Sequence, residues 1–223
     1  MSTSASIRVL CVALSMAPVG CGRDPANEVI AKLHDWNAEV RRAAVRNMVE
    51  HPPSDARLVA ELEKTLTDKD TEVRYLAVEA IGQMGPAARP NLPQMRMRLK
   101  DQDKQVRLRA AFAIRKIDPA DPSFMPVLTG ALGEGDGRTL LEVASLGPDA
   151  SWAVPTLTGL LSHESFKVRT LAAKALGSIG PAAISAKANL EALRSDNNPA
   201  VKAAADEALN RIQAGSAVRA AAK

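Results

Sequence analysis

The residues best placed for chemistry are an acid and a cation that recur together along the chain. Asp68 stands six residues before Arg74, and the same spacing joins Asp35 to Arg41. A guanidinium binds a carboxylate through two parallel hydrogen bonds. The pattern therefore predicts a row of ion pairs, although a row of arginines is also suited to binding an extended anion. The predicted members are Asp35, Arg41, Asp68, Arg74, Asp101, Arg107, Arg169, Asp196 and Lys202.

A second candidate is a basic segment near the middle of the chain. Between Arg89 and Lys116 nine residues are basic, and two, Asp101 and Asp103, are acidic. Such a cluster suits an acidic protein, anionic lipid headgroups or nucleic acid. The alternative is a solvated face, because these side chains point in different directions around their helices. The candidate binding surface consists of Arg96, Arg98, Lys100, Lys104, Arg107, Arg109, Arg115 and Lys116.

The sequence contains no pattern typical of a catalytic or metal site. His34, His51 and His163 stand far apart, and no pair of histidines shares a helix face for zinc. Neither a phosphate-binding glycine loop followed by lysine nor a Gly-x-Ser-x-Gly elbow occurs. The glycine-rich residues 133–137 are predicted to form a flexible turn. We therefore predict no catalytic residue, metal, cofactor or small-molecule substrate.

A repeated unit of helix, turn and helix positions these residues. Its register is set by five valines spaced by 33, 33, 62 and 33 residues, and such a period is typical of a repeat architecture. The double step contains one degenerate repeat. Three residues before each valine stands a good helix N-cap, which accepts a hydrogen bond from a free amide of the first turn. These caps are Asn37, Asp70, Asp103, Ser165 and Asn198.

Helix ends and composition point to the same architecture. The pairs Gly85 and Pro86, Gly147 and Pro148, and Gly180 and Pro181 close one unit and open the next. Hydrophobic residues make up 46% of the chain but aromatic residues only 3%, so small aliphatic side chains must fill the core. Trp36 and Trp152 are predicted to fill gaps between repeats, and the alternative is that they are exposed anchors.

The predicted fold is all-α, a right-handed solenoid of about six helix pairs. First helices form the outer face and second helices line the concave face. The array spans residues 27–213, and a flexible tail covers 214–223. The fourth unit lacks the Val-Arg pair, so its second helix, near 138–146, is predicted to be short. The predicted repeats cover about 27–52, 53–85, 86–118, 119–147, 148–180 and 181–213.

The first twenty residues do not follow the repeat and have the features of a secretory signal. Arg8 precedes an apolar run that ends in small residues before Cys21. Val19, Gly20 and Cys21 resemble the end of a bacterial lipoprotein lipobox, in which the cysteine receives a diacylglyceryl group. The resemblance implies cleavage before Cys21 and a short tether at 21–26. The alternative is an unprocessed N-terminal helix of a cytoplasmic protein.

The repeat frame resembles HEAT repeats, in particular the short type called phycobilisome-lyase-like. Asp at the turn, Val-Arg, and then Ala-x-x-Ala with a terminal Gly carry the resemblance, as at Asp68 to Gly85. It implies that the acid and arginine row links neighbouring repeats. It also implies a non-catalytic scaffold for unknown protein partners. Together with the lipobox resemblance, it predicts a scaffold anchored to a membrane of the bacterial cell envelope through Cys21. The alternatives are a lyase-like or other modifying protein that uses the concave groove, and a cytosolic nucleic-acid-binding protein.

Overall fold

The computed structural model describes residues 24–221, with side chains up to residue 214, and this part of the chain contains α-helices and no strands. The helices alternate as first and second members of six pairs. The first helices are α1 (Pro25–Leu33), α3 (Ala56–Thr65), α5 (Leu92–Arg98), α7 (Met125–Gly133), α9 (Val154–Leu160) and α11 (Lys187–Ala192). The second helices are α2 (Ala38–Glu50), α4 (Thr71–Gln83), α6 (Lys104–Ile117), α8 (Gly137–Ser145), α10 (Phe166–Ile179) and α12 (Pro199–Ala221).

The second helices begin at the predicted caps. Asn37, Asp70 and Asp103 each accept a hydrogen bond from an amide in the first turn of their helix. Asn198 does the same for the amide of Ala200 at 2.9 Å. Ser165 occupies the cap position of α10, but its side chain makes no capping hydrogen bond.

Three connections between repeats are 3₁₀ segments that start at the predicted glycines. Gly85, Gly147 and Gly180 have φ angles of 58°, 57° and 71°, a region that favours glycine because it has no Cβ. Each segment supplies part of a first helix, so the α-helical remainders α5, α9 and α11 have only 7, 7 and 6 residues. The segments are Gly85–Asn91, Gly147–Ala153 and Gly180–Ala186.

The ends of the array differ from the predicted boundaries. α1 begins at Pro25, inside the predicted tether 21–26, because Asp24 accepts the amide of Ala26 at 3.0 Å and caps the helix. At the other end α12 continues to Ala221 through the predicted tail. No proline follows residue 213, and a single glycine such as Gly215 does not have to end a helix. The predicted signal peptide 1–20 and Cys21 lie outside the described residues.

The second helices pack against one another more closely than the first helices do. A Cβ added to Gly177 of α10 would lie 2.9 Å from Ala208 Cα of α12, and one added to Gly82 of α4 would lie 2.8 Å from Ala113 Cβ of α6. The small residues at these positions allow the helix backbones to approach. Because the second-helix row is the tighter one, the array curves toward it, and the second helices line the concave face.

The fourth repeat interrupts this regular stacking. Its second helix α8 has 9 residues, against 13 in α4 and 14 in α6 and α10, which confirms the predicted short helix. α6 and α8 do not pack as closely as the other neighbouring second helices. The core accordingly forms two clusters that meet in α7, with Ala131 in one and Leu132 in the other. Phe112 and Trp152 contact both clusters.

We expect Gly177→Ala to destabilise the protein by about 1–3 kcal/mol, because the new methyl group would overlap the backbone of α12. Gly130→Ala is the matched control, since nothing lies within 4 Å of a Cβ at that position of α7. It should stabilise the protein by up to about 1 kcal/mol through helix propensity. Urea unfolding followed by circular dichroism measures both changes. If the free energy of unfolding changes with the same sign in both variants, the close approach of α10 and α12 at Gly177 is contradicted.

Candidate functional site

Three arginines at the starts of second helices each bind an aspartate of the following repeat, an arrangement we call a clamp. In the second repeat Arg74 Nε and Nη2 donate to the two carboxylate oxygens of Asp101 at 3.0 and 2.9 Å. Nη1 of the same guanidinium donates to the carbonyl of Asp68 at 2.9 Å, within its own turn. Both side chains are about 95% or more buried. Each clamp therefore joins two successive turns.

The same geometry recurs at both ends of the array. Arg41 binds Asp68 at 2.7 and 2.8 Å, and Arg169 binds Asp196 at 2.8 and 2.9 Å. Each acceptor carboxylate also receives the backbone amide two residues further on, as Asp68 does from Asp70 at 2.8 Å. The structure thus brings together most of the predicted ladder. Lys202 takes the corresponding position in α12, and its charge contributes to lowering the pKa of Asp196 after the larger effects of the Arg169 and Asn198 hydrogen bonds.

The clamps hold their carboxylates in the charged form. Burial alone would raise the pKa of Asp101, but hydrogen bonds from Arg74 and from the Asp103 amide outweigh it, and the net pKa lies below the usual value. The pKa of Asp68 is lowered against the same effect of burial by Arg41 and the Asp70 amide. Beside the clamp, hydrogen bonding from Arg42 lowers the pKa of Asp70 to about 2.

The ladder is interrupted at the fourth repeat. Glu134 stands where the pattern requires an aspartate, and its carboxylate accepts from Lys104 Nζ at 2.7 Å. Arg107 keeps the contacts within its own turn, since Nη1 donates to the carbonyls of Asp101 and Gln102 at 2.7 and 3.1 Å. Its Nε and Nη2 make no hydrogen bond to any residue in 24–221. At the next junction Leu140 and His163 replace both members of the clamp.

The eight cations predicted to form a binding surface do not share one face. Arg96, Arg98 and Lys100 line a groove beside α5, whereas Arg109 and Lys116 lie beside the second helix α4. Four of the eight pair with acids outside the basic segment, which the local sequence could not show, and Arg98 pairs with Asp101 inside it. The ion pairs are Arg96 with Asp121 (2.7 Å), Arg98 with Asp101 (3.3 Å), Lys104 with Glu134 (2.7 Å), Arg109 with Glu79 (2.9 Å) and Arg115 with Asp149 (3.2 Å).

The structure contains a groove on the concave face, here called the concave groove, whose lining residues were not predicted from the sequence. It has a volume of about 400 Å³ and lies between α8, α10 and α12. Its apolar walls include Leu141, whose residue surface is 58% exposed, and Leu171. Lys174, Glu207 and Arg211 supply charge. The sequence feature that could have indicated this groove is Leu141, an apolar residue next to the core residue Leu140 in the short helix α8.

Carboxylates converge elsewhere on the concave face, around Arg109. Its guanidinium lies 2.9 Å from Glu79, 3.5 Å from Glu142 and 5.2 Å from the centre of the Tyr75 ring. The two cavities beside this cluster have volumes of about 10 Å³ and about 140 Å³. The arrangement joins α4, α6 and α8 across the interrupted junction, and both cavities are smaller than ordinary ligand sites, which begin at about 300 Å³.

The two tryptophans have different environments. Trp152 packs edge-on against Phe124 with the ring centres 5.7 Å apart, as predicted for a residue that fills a gap. The same prediction is wrong for Trp36, which is 86% exposed. Its turn is held by Arg41, which donates to the Trp36 carbonyl at 3.2 Å, so the backbone is fixed while the ring faces solvent.

Two kinds of feature are absent from the described residues. No group of three or more His, Cys, Asp or Glu side chains in 24–221 is placed to hold a metal ion. Among the helices of the same range, none combines the length and the apolar character needed to cross a membrane.

Sequence comparison identifies the repeats. The family model for HEAT repeats matches residues 26–115 and 139–210, well over half of the chain. The chain belongs to the HEAT repeat family. The unmatched residues between the two segments include α7 and the loop before α8, where the ladder is interrupted. No curated protein matches the sequence significantly. A HEAT repeat fold is consistent with a protein-interaction scaffold.

Solved structures share this fold. An engineered protein from the Northeast Structural Genomics Consortium is 25% identical, with a TM-score of 0.55, and the match covers 86% of this chain and 98% of that one. A second engineered protein from the same consortium is 22% identical, with a TM-score of 0.52, and the match covers 86% of this chain and 100% of that one. The complex of CpcE and CpcF of phycocyanin lyase from Nostoc is 20% identical, with a TM-score of 0.52, over 90% of this chain and 82% of that one. The first helix and second helix pairs therefore form an α-solenoid, as predicted.

We expect the protein to lose stability in acid because the clamped carboxylates have lowered pKa values. Their contribution is present above the unfolded pKa of about 3.9 and is lost as the pH falls through the lower folded values. Asp101→Asn should reduce the free energy of unfolding at pH 7 by about 3 kcal/mol, because Arg74 is left buried without its carboxylate. The free energy of unfolding of this variant should also depend less on pH below about 4.

The control for this substitution is Asp206→Asn. Asp206 pairs with Arg194 at 2.7 Å, but the two side chains are 50% and 61% exposed. An exposed ion pair contributes at most about 1 kcal/mol. Urea unfolding at a series of pH values compares the two variants. Equal losses in the free energy of unfolding at pH 7 would show that the buried clamp stabilises the protein no more than the exposed ion pair does.

Proposed function

We propose that this HEAT repeat protein is a non-catalytic scaffold that binds a protein partner in its concave groove and is tethered to a membrane of the bacterial cell envelope. The observation that carries the proposal is the concave groove itself. Its volume of about 400 Å³ lies within the range of ordinary ligand sites, which is about 300–1,000 Å³. Stacked repeats present such surfaces as extended concave binding faces.

The lining of the concave groove suits a polypeptide segment. Exposed Leu141 and partly buried Leu171 offer apolar contact, and Ala144, Ala204 and Ala208 leave space between the helices. Glu207 is held by Arg211 at 2.6 Å. Lys174 has no ion-pair partner among residues 24–221, so it is available to a carboxylate or a carbonyl of the partner. Apolar walls with a few polar groups favour binding, whereas catalysis by a modifying enzyme needs titratable groups that converge on free space.

Leu141→Glu should weaken partner binding about tenfold or more, because it places a charge against the apolar wall of the concave groove. Ile184→Glu is the matched control, since Ile184 is 51% exposed but lies on a 3₁₀ segment outside the groove. Chemical crosslinking and affinity purification from membranes, with quantitative mass spectrometry, measure the recovered partner. Equal recovery with the two variants would exclude the groove as the binding site.

The proposed tether rests on the resemblance of Val19, Gly20 and Cys21 to a lipobox. In the structure α1 begins at Pro25, only four residues after Cys21. An extended chain covers at most about 3.5 Å per residue, so a lipid on Cys21 would hold the first repeat within roughly 14 Å of the bilayer surface. The partner would then be bound close to the membrane.

Cys21→Ser should move the protein from the membrane fraction to the soluble fraction, because the thiol that accepts the diacylglyceryl group is lost. Cys11→Ser is the matched control, since Cys11 lies inside the segment that processing would remove. Ultracentrifugal fractionation and the mass of the mature N-terminus check both variants. The same soluble distribution for wild type and Cys21→Ser would refute lipid anchoring and would favour the cytoplasmic alternative.

A further inference from the structure

Two recesses meet at the third repeat. The first, here called the outer groove, lies between α5 and α7, has a volume of about 770 Å³ and is almost entirely apolar. Its lining includes Met97, Leu99, Pro126 and Val127. The second, here called the edge trough, has a volume of about 450 Å³ and follows the turns of the second and third repeats. Arg98 and Lys100 line both recesses, so the two form one continuous surface.

The outer groove lies beside an irregular connection between repeats. Three other junctions begin with a glycine of positive φ and a seven-residue 3₁₀ segment. The connection after α6 instead passes through Asp118 to Asp121 and a three-residue 3₁₀ turn, Pro122–Phe124. α5 and α7 do not pack closely, and Met97, 57% exposed, lines the groove between them.

The acids of the edge trough are already engaged. Asp68 is clamped by Arg41, and Asp101 is clamped by Arg74. Asp103 caps α6 by accepting the amides of Gln105 and Val106. Asp101 also pairs with Arg98 at 3.3 Å, and none of these carboxylates forms an ion pair with Lys69, Lys100 or Arg107.

Three cationic groups at this surface have no counter-ion within residues 24–221. Lys69 and Lys100 line the edge trough and form no ion pair. The third group is the Nε and Nη2 edge of Arg107. Its Nη1 donates to the carbonyls of Asp101 and Gln102, two residues that line the trough, so the guanidinium contacts the wall of the trough.

The open edge of Arg107 is already oriented for a carboxylate. In Arg41, Arg74 and Arg169 the same Nη1 contact to the turn accompanies binding of an aspartate by Nε and Nη2. Arg107 has the first half of this arrangement without the second. A planar donor pair held in position loses less conformational entropy on binding than a free side chain does.

We propose that the outer groove and edge trough together dock an acidic, partly apolar segment of a protein partner. An apolar side chain of the segment enters the outer groove beside Met97. Its carboxylates pair with Lys69, Lys100 and the open edge of Arg107. The inference rests on the proposed interaction function, but it uses a surface separate from the concave groove.

Charge and shape favour this occupant over a membrane or a nucleic acid. A bilayer requires apolar groups that project outward, whereas most of the apolar surface here lies inside a recess. A single-stranded nucleic acid requires aromatic rings on which its bases stack, and neither recess is lined by one. Carboxylates spaced along a peptide match three separated cations around an apolar groove.

The test is a fluorescence anisotropy titration of the purified full chain with three labelled synthetic peptides. One contains a Leu-Leu pair flanked by Asp residues, the second replaces Asp by Asn, and the third replaces Leu by Ser. We expect the acidic apolar peptide to bind about tenfold more tightly than either relative, because each loses one part of the complementary surface. Its affinity should fall as salt is raised.

Variants locate the binding. Arg107→Gln and Lys100→Gln should each weaken the acidic peptide about threefold to fivefold, and Met97→Ser should weaken it by a similar factor. Lys167→Gln is the charge control, because Lys167 is an exposed lysine of α10 that forms no described ion pair. Ile184→Ser is the apolar control. Circular dichroism and thermal unfolding confirm that every variant is folded.

Several results would overturn the proposal. Equal affinity for the Asp and Asn peptides would show that the carboxylates do not contribute to binding. The same loss of affinity in Lys167→Gln as in Lys100→Gln would show that the attraction is non-specific. If phosphatidylglycerol vesicles or an oligonucleotide bind through Lys100 and the acidic peptide does not, the ligand of this surface is a membrane or a nucleic acid and not a protein segment. If the peptide fails to bind while Leu141→Glu still loses its crosslinked partner, this inference falls and the proposed function stands.

Discussion

The buried clamp between an arginine and the aspartate of the next repeat is the interaction on which the rest of the structure depends. A HEAT pair cannot bury its apolar faces alone, so each repeat is stable only in a fixed position against its neighbour. Hydrophobic contact between alanine-rich helices is not directional, and it permits sliding. The clamp prevents this sliding, because its hydrogen bonds form in only one relative position of the two repeats. Arg74 binds two carbonyls of its own turn and both oxygens of Asp101, so it fixes the stacking of the second and third repeats.

Much of the fold could be predicted because each repeat-wide position has a local cause. Asp70 and Asp103 cap helices through their own side chains, and Gly85 and Gly180 accept a positive φ, so both effects are visible in short stretches of sequence. The ladder pairs join residues 27 positions apart, and they could be predicted because the period of the repeat brings successive turns together. Ser165 shows the limit of such reasoning, since a residue type that can cap a helix does not have to form the bond.

The candidate sites were harder to predict because they depend on residues that are distant in sequence. The basic segment has a large local charge, but Asp121 and Glu79 fold against Arg96 and Arg109 and neutralise them. The concave groove and the outer groove are spaces between helices of different repeats, and composition does not reveal a space. Lys69 lies outside the basic segment and was missed as a functional candidate, although it is one of the few cations left uncompensated.

The division of the core at α7 has a consequence for how this chain responds to force and to ligands. In a linear array the total stability is approximately a sum of repeat terms and of terms between nearest neighbours, so the weakest junction decides where cooperativity breaks. Here the two clusters share Phe112 and Trp152 and are bridged by Arg109. We therefore expect the two halves to come apart at this junction before either half unfolds. A molecule that touches both halves adds its binding energy to the contact between them, and so strengthens their coupling.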